Sequence, residues 1–306
     1  MSLSLILEQL LNGFQLGITL FLMASGLTLI FGVMGLINLA HGSFYMTGAF
    51  VTAWVTGMSG SFWLGLACGV LAAGLIGGVV ELLVMRKLYN RDHLDQVLAT
   101  FALILIFLEG TRWIYGASPL WLNIPDILDG SILLPGGVVY PIYRLVIILI
   151  GVLIAIGLYF LINKTRLGMR IRAGENDREM IGALGVDINV LYTLVFALGA
   201  GLAGLAGATI GALQSVQVGM GEPVLILAFV VIVIGGIGSI KGAFIASLLV
   251  GVVDTFGRVL LPSFFKLFME ASDASTIGVA LASMLIYLLM AIILVFKPKG
   301  LFSAND

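Results

Sequence analysis

One cysteine, two histidines and seven prolines are all that 306 residues hold of those three types. Cys68 stands alone inside an apolar run, which excludes a disulfide framework and a cysteine metal cluster and leaves it as a small packing residue. His41 and His93 form no metal-spaced set. Charge is equally scarce. Asp, Glu, Lys and Arg make up 10% of the chain and the net charge is −1, which implies no bulk electrostatic partner and argues against nucleic acid. There is no glycine-rich phosphate loop ending in Lys-Ser or Lys-Thr and no nucleophile elbow. The chain therefore reads as a non-enzyme without a cofactor of its own, and any work it does draws on energy from elsewhere. No basic n-region precedes the first apolar run, so that run is expected to be a permanent span rather than a cleaved signal.

What is abundant is apolar. Hydrophobic residues reach 60%, and forty glycines suit helices whose backbones approach closely in lipid. Apolar runs occupy 5–33, 42–57, 62–85, 96–114, 144–162, 190–213, 223–240, 242–261 and 276–296. Runs near twenty residues long suffice to cross ~30 Å of hydrocarbon, and no alternating ten-residue segments suggest a barrel. The expectation is an all-α, polytopic transmembrane bundle with interrupted spans, one domain over 1–306 with eight to nine crossings. Pro223 is expected at the first position of its helix, and Pro262 and Pro298 at the close of theirs. Residues 115–143 are too polar to span and hold four of the prolines. The aromatics Trp113, Tyr115, Trp121, Tyr140 and Tyr143 in and beside this loop read as headgroup anchors or as contacts for an external partner.

Charge of both signs is dense in one place, the loop 164–189. It carries five of the fifteen basic residues and four of the sixteen acids. If this loop is cytoplasmic, alternation of nine crossings puts eleven basic residues on its side against four on the other. The N-terminus is then outside and the C-terminus inside. Asn176 or Asp177 can cap a short helix, in which Met180, Ile181 and Leu184 share a face. That face must rest on lipid or enter a groove of a partner.

Two spans are interrupted. In Gly35-Leu36-Ile37-Asn38-Leu39-Ala40-His41-Gly42-Ser43, glycines weaken the helix while Asn38, His41 and Ser43 bring polar atoms into an apolar region. Broken backbone at membrane depth survives where protein buries it or a watery cavity receives it, and paired breaks point to a transport pathway. The second interruption, Gly235-Gly236-Ile237-Gly238-Ser239-Ile240-Lys241-Gly242, reads either as its counterpart or as a tight surface turn. His41 has no second histidine in a span to relay protons with, which favours capping or hydrogen bonding. Asp254 with Arg258, and Glu109 with Arg112, are spaced to pair along one helix face. Each pair is structural, or it lines a polar path, for which Asp254 is the better placed.

Three motifs now combine. Thr165-Arg166-x-Gly168-x-x-x-Arg172-Ala173 with Ala183-x-Gly185-Val186, then Asn38-Leu39-Ala40-His41-Gly42, then Gly235-Gly236-Ile237-Gly238-Ser239-Ile240-x-Gly242-Ala243 resemble signatures of permeases in branched-chain amino acid ABC importers. Order, spacing and length resemble the shorter of the two permease types of that family, and Lys241 stands where many relatives have proline. The resemblance implies a fold similar to the ribose and vitamin B12 importer permeases. It implies a site in the bacterial cytoplasmic (inner) membrane and a second homologous permease subunit beside it. Two cytoplasmic ATPase subunits holding ATP and magnesium, and a periplasmic or extracytoplasmic solute-binding protein, complete the implied assembly. Cargo would be branched-chain amino acids, urea, amides or aromatic acids. Coupling roles fall on Arg172, Ala173, Glu175, Asn176 and Gly185, with Arg178 in the same charged turn, and pathway or gate roles on Asn38, His41 and Gly42. The rival is an ion-coupled secondary transporter using Asp254 and Glu109, with the loop lying on lipid.

Overall fold

The structure is a computed structural model that describes residues 3–89 and 91–302, apart from the side chains of Asn176, Arg178 and Glu179. Each of the nine apolar runs lies on a helix: α1 (Leu3–Met34), α2 (His41–Ser59), α3 (Phe62–Leu83), α4 (His93–Tyr115), α5 (Ile142–Lys164), α8 (Ile188–Ile210), α9 (Gly221–Gly235), α10 (Ile240–Phe265) and α11 (Ala271–Phe296). Among the described residues, seven of these are long and apolar enough to cross a membrane. α2 and α9 are not among the seven, and α9 has only 15 residues. The loop 164–189 holds two further helices, α6 (Arg166–Asn176) and α7 (Arg178–Ala183). Residues 115–143 contain a small antiparallel hairpin, β1 (Ser131–Leu134) with β2 (Val138–Pro141).

The chain divides into two compact units, and α1, α5 and α9 each contribute to both. The larger unit, 22–125 with 153–228, is built on α2, α3 and α8. Small residues let these backbones touch: a Cβ added at Gly48 would fall on the backbone of Gly204. Around that contact Phe44 packs edge-on to Phe107 at 5.7 Å and to Phe196 at 5.8 Å. Outside the helices of this unit, Leu120 and Val216 exchange backbone hydrogen bonds at 2.8 and 2.9 Å.

The smaller unit takes 1–21, 126–152 and 229–306. Here Asn12 Oδ1 accepts from Tyr140 at 3.2 Å and from Arg144 at 2.6 Å, tying α1 to the hairpin and α5. The chain after α11 returns to α9, where Leu301 and Phe302 donate to the Ile234 and Gly235 carbonyls at 2.8 and 3.0 Å. Those carbonyls are helix-end acceptors that the helix itself leaves unpaired.

Three sequence expectations are corrected. Pro262 lies inside α10 rather than at its end, against the glycine surface of Gly278, and Pro223 is the third residue of α9 rather than the first. Tyr140 and Tyr143 are buried at 1% and 2% exposure, so these two are packing residues, while Trp113 and Trp121 stay exposed as anchors would.

Candidate functional site

α1 stops at Met34 because Gly35 turns the chain with φ +64°. Residues 35–38 are irregular, and α2 begins at His41. Asn38 organises the restart, since its Oδ1 accepts from Ala40 N–H at 3.0 Å and its carbonyl accepts from His41 N–H at 3.3 Å. The His41 ring reaches back to the Met23 carbonyl, 3.3 Å from Nε2. A carbonyl only accepts, so Nε2 carries the proton and Nδ1 is an acceptor.

Asn38 and His41 are fully buried and Ser43 is 1% exposed. Yet Asn38 Nδ2, His41 Nδ1 and Ser43 Oγ have no hydrogen-bond partner. Leaving a buried donor or acceptor unpaired costs about 1–3 kcal/mol, and native proteins tolerate few such groups. Three of them fall within six residues of the break. Asn38, His41, Gly42 and Ser43 are all buried at the break between α1 and α2.

Gly42 is also where α2 meets α9. A Cβ there would lie 2.8 Å from the Gly221 carbonyl oxygen, so the first turns of the two helices touch backbone to backbone. The positive ends of the two helices therefore converge. Glu222, in the first turn of α9, complements them with a carboxylate whose Oε2 is buried and unpartnered. Sequence reasoning missed Gly221 and Glu222. A second Gly-polar break before an apolar run was the available signal.

Asp254 belongs to the smaller unit and the Asn38 group to the larger. It is 5% exposed, and its Oδ2 accepts from Arg258 Nε at 2.8 Å while Oδ1 is unpartnered. Arg258 also donates to Ser283 at 3.4 Å. Glu109 pairs with Arg112 at 2.6 Å, but both side chains are more than half exposed. The second interruption is a capped turn: Gly236 and Gly238 have φ of +104° and +85°, and Ser239 Oγ accepts from Gly242 N–H at 3.0 Å.

In the charged loop, Thr165 Oγ1 caps α6 by accepting from Gly168 N–H at 3.1 Å. Asp177 Oδ1 caps α7 by accepting from Met180 N–H at 3.0 Å, in line with the expected cap. Gly185 ends the turn with φ +86°, and Asp187 caps α8. Arg172 donates to Asn163 at 3.2 Å, Ala173 is half-buried and Glu175 is exposed. The side chains of Asn176 and Arg178 lie outside the described residues. The expected shared face is split, because Ile181 turns inward at 5% exposure while Met180 and Leu184 stand out at 54% and 76%.

A family described as the permease component of branched-chain amino acid transport systems matches residues 9–294. The high-affinity branched-chain amino acid permease BraD of Pseudomonas aeruginosa is 30% identical over 96% of this chain and 95% of its own. LivH of Salmonella typhimurium, of the same description, is 31% identical over 85% and 88%. The ribose import permease RbsC of Escherichia coli is 26% identical over 82% and 78%.

Proposed function

Because the chain belongs to the permease-component family of branched-chain amino acid transport systems, we propose that it is one membrane-spanning subunit of an ATP-driven importer. Its cargo is a branched-chain amino acid, the solute class named for BraD and LivH. A second homologous permease, two cytoplasmic ATPases with their ATP and magnesium, and an external solute-binding protein complete the assembly. The loop 164–189 faces the cytoplasm and receives an ATPase through Arg172, Ala173, Glu175, Asn176, Arg178 and Gly185, with Met180 and Leu184 as its apolar contact.

The observation that carries the pathway is the buried, unpartnered set Asn38 Nδ2, His41 Nδ1 and Ser43 Oγ beside the touching N-termini of α2 and α9. In the closed arrangement these atoms lack partners. When Gly42 and Gly221 part, an amino acid supplies them: its carboxylate takes the Asn38 amide and the helix N–H groups, and its ammonium takes Glu222 and His41 Nδ1. Binding there is weak by design, because only the difference between the two states is needed to move cargo. Asp254, with one oxygen open, lines the path in the smaller unit.

The test is uptake of labelled leucine into sealed vesicles that contain the whole assembly. ATP with the binding protein is expected to drive accumulation, and omission of the ATPases to abolish it. Accumulation driven by a sodium or proton gradient without ATPases would instead support ion coupling through Asp254 and Glu109.

A further inference from the structure

The larger unit contains a second buried carboxylate that the pathway does not use. Glu81, near the end of α3, is fully buried, yet all its acceptor capacity is engaged. Arg86 donates to Oε1 from Nε at 3.2 Å and to Oε2 from Nη2 at 3.1 Å. The Tyr89 hydroxyl donates to Oε1 at 2.8 Å, and the Thr193 hydroxyl to Oε2 at 2.6 Å. Arg86 Nη2 closes the ring by donating to Thr193 Oγ1 at 2.8 Å and to the Asn189 carbonyl at 3.3 Å.

The cluster joins three parts of the chain that matter for transport. Asn189 and Thr193 are in the first turns of α8, immediately after the charged loop and its Asp187 cap. Glu81 lies near the end of α3, which packs along α8, and Arg86 lies in the short 3-10 turn Met85–Lys87 just after it. With its proton on Glu81, the Tyr89 oxygen also lies 3.7 Å from the sulfur of Met34, the last residue of α1 before the Asn38 break, and its ring stands edge-on to Tyr192 at 5.0 Å. Burial and the Glu81 carboxylate both push the Tyr89 phenol above its ordinary range, so its proton stays on and the group acts as a donor.

We infer that Glu81 is a positioning residue for transport: through Arg86, Tyr89 and Thr193 it locks the exit of the loop 164–189 to the end of α1, so that movement of the loop reaches the Asn38 break. This rests on the reading of the loop as the ATPase contact. An ion pair with its carboxylate buried and its guanidinium one-third exposed adds little net stability compared with apolar packing, while it holds one arrangement against others. Without the cluster, α8 could shift at its first turn while α1 stayed in place.

The test uses the complete assembly in vesicles and reads two quantities, ATP hydrolysed and leucine accumulated. Tyr89→Phe and Thr193→Val each remove one hydroxyl from Glu81 with little change of shape, and Thr193→Ser keeps the hydroxyl. Tyr89→Phe and Thr193→Val are expected to lower leucine moved per ATP by about threefold to tenfold, with assembly and hydrolysis retained, and Thr193→Ser to leave the ratio unchanged. An unchanged ratio in Tyr89→Phe and Thr193→Val overturns the inference. So does a loss of assembled complex that accounts for all the lost uptake, which marks the cluster as structural only. Unmodified complex that accumulates leucine without ATP overturns the coupling reading and this inference with it.

Discussion

Ser43 and Gly42 are neighbours with opposite demands. Ser43 Oγ is buried without a partner, so Ser43→Ala removes an unsatisfied group and makes no cavity of note. Chemical unfolding in detergent is expected to show stability unchanged or raised by up to about 1 kcal/mol, while leucine uptake falls. Equal loss of stability and uptake would make the hydroxyl structural. Gly42 has no such freedom, because a Cβ would meet the Gly221 carbonyl oxygen at 2.8 Å and backbone cannot give way as a side chain can. Gly42→Ala is expected to cost about 1–3 kcal/mol of stability, the usual penalty of overpacking. A midpoint equal to that of the unaltered chain would mean that α2 and α9 do not touch there.

At the scale of the element, α7 is the informative case. Six residues make too short a helix to hold itself together, and the Asp177 cap with the inward Ile181 supplies what keeps it. Met180 and Leu184 are exposed, so Met180→Glu with Leu184→Glu is expected to leave unfolding within about 0.5 kcal/mol while the ATPase no longer co-purifies. Retained ATPase with weakened adsorption to lipid vesicles would place the face on lipid. The cap was legible because Asp177 precedes an apolar pair at helical spacing. The inward turn of Ile181 was not, because a face drawn from spacing does not know which side the rest of the protein occupies. The same limit hides Glu81. Its acidic position in an apolar run is visible in the sequence, but its partner Thr193 is 112 residues away and no local pattern links them. Glu222 was passed over because an acid in a first turn is ordinary helix chemistry. Only the contact between Gly42 and Gly221 shows that this first turn belongs to the break.

For the whole molecule, the nine apolar runs were readable because each is long or bounded by glycine, proline or charge. The division into two units was not, since one unit gathers three separate stretches and the other two, and the boundary splits α1, α5 and α9 within their length. The direction of insertion depends on a different signal, the eleven basic residues assigned to one side against four. The lone Cys68 makes this testable, as Cys68→Ala yields a background without thiols. In that background Leu133→Cys, at the exposed hairpin, and Leu184→Cys, after α7, place one thiol each at positions 70% and 76% exposed. A membrane-impermeant thiol reagent is expected to label Leu133→Cys in intact cells and Leu184→Cys only after permeabilisation. The reverse pattern would put the charged loop outside, where no cytoplasmic ATPase could reach it, and would overturn the proposed coupling through 164–189.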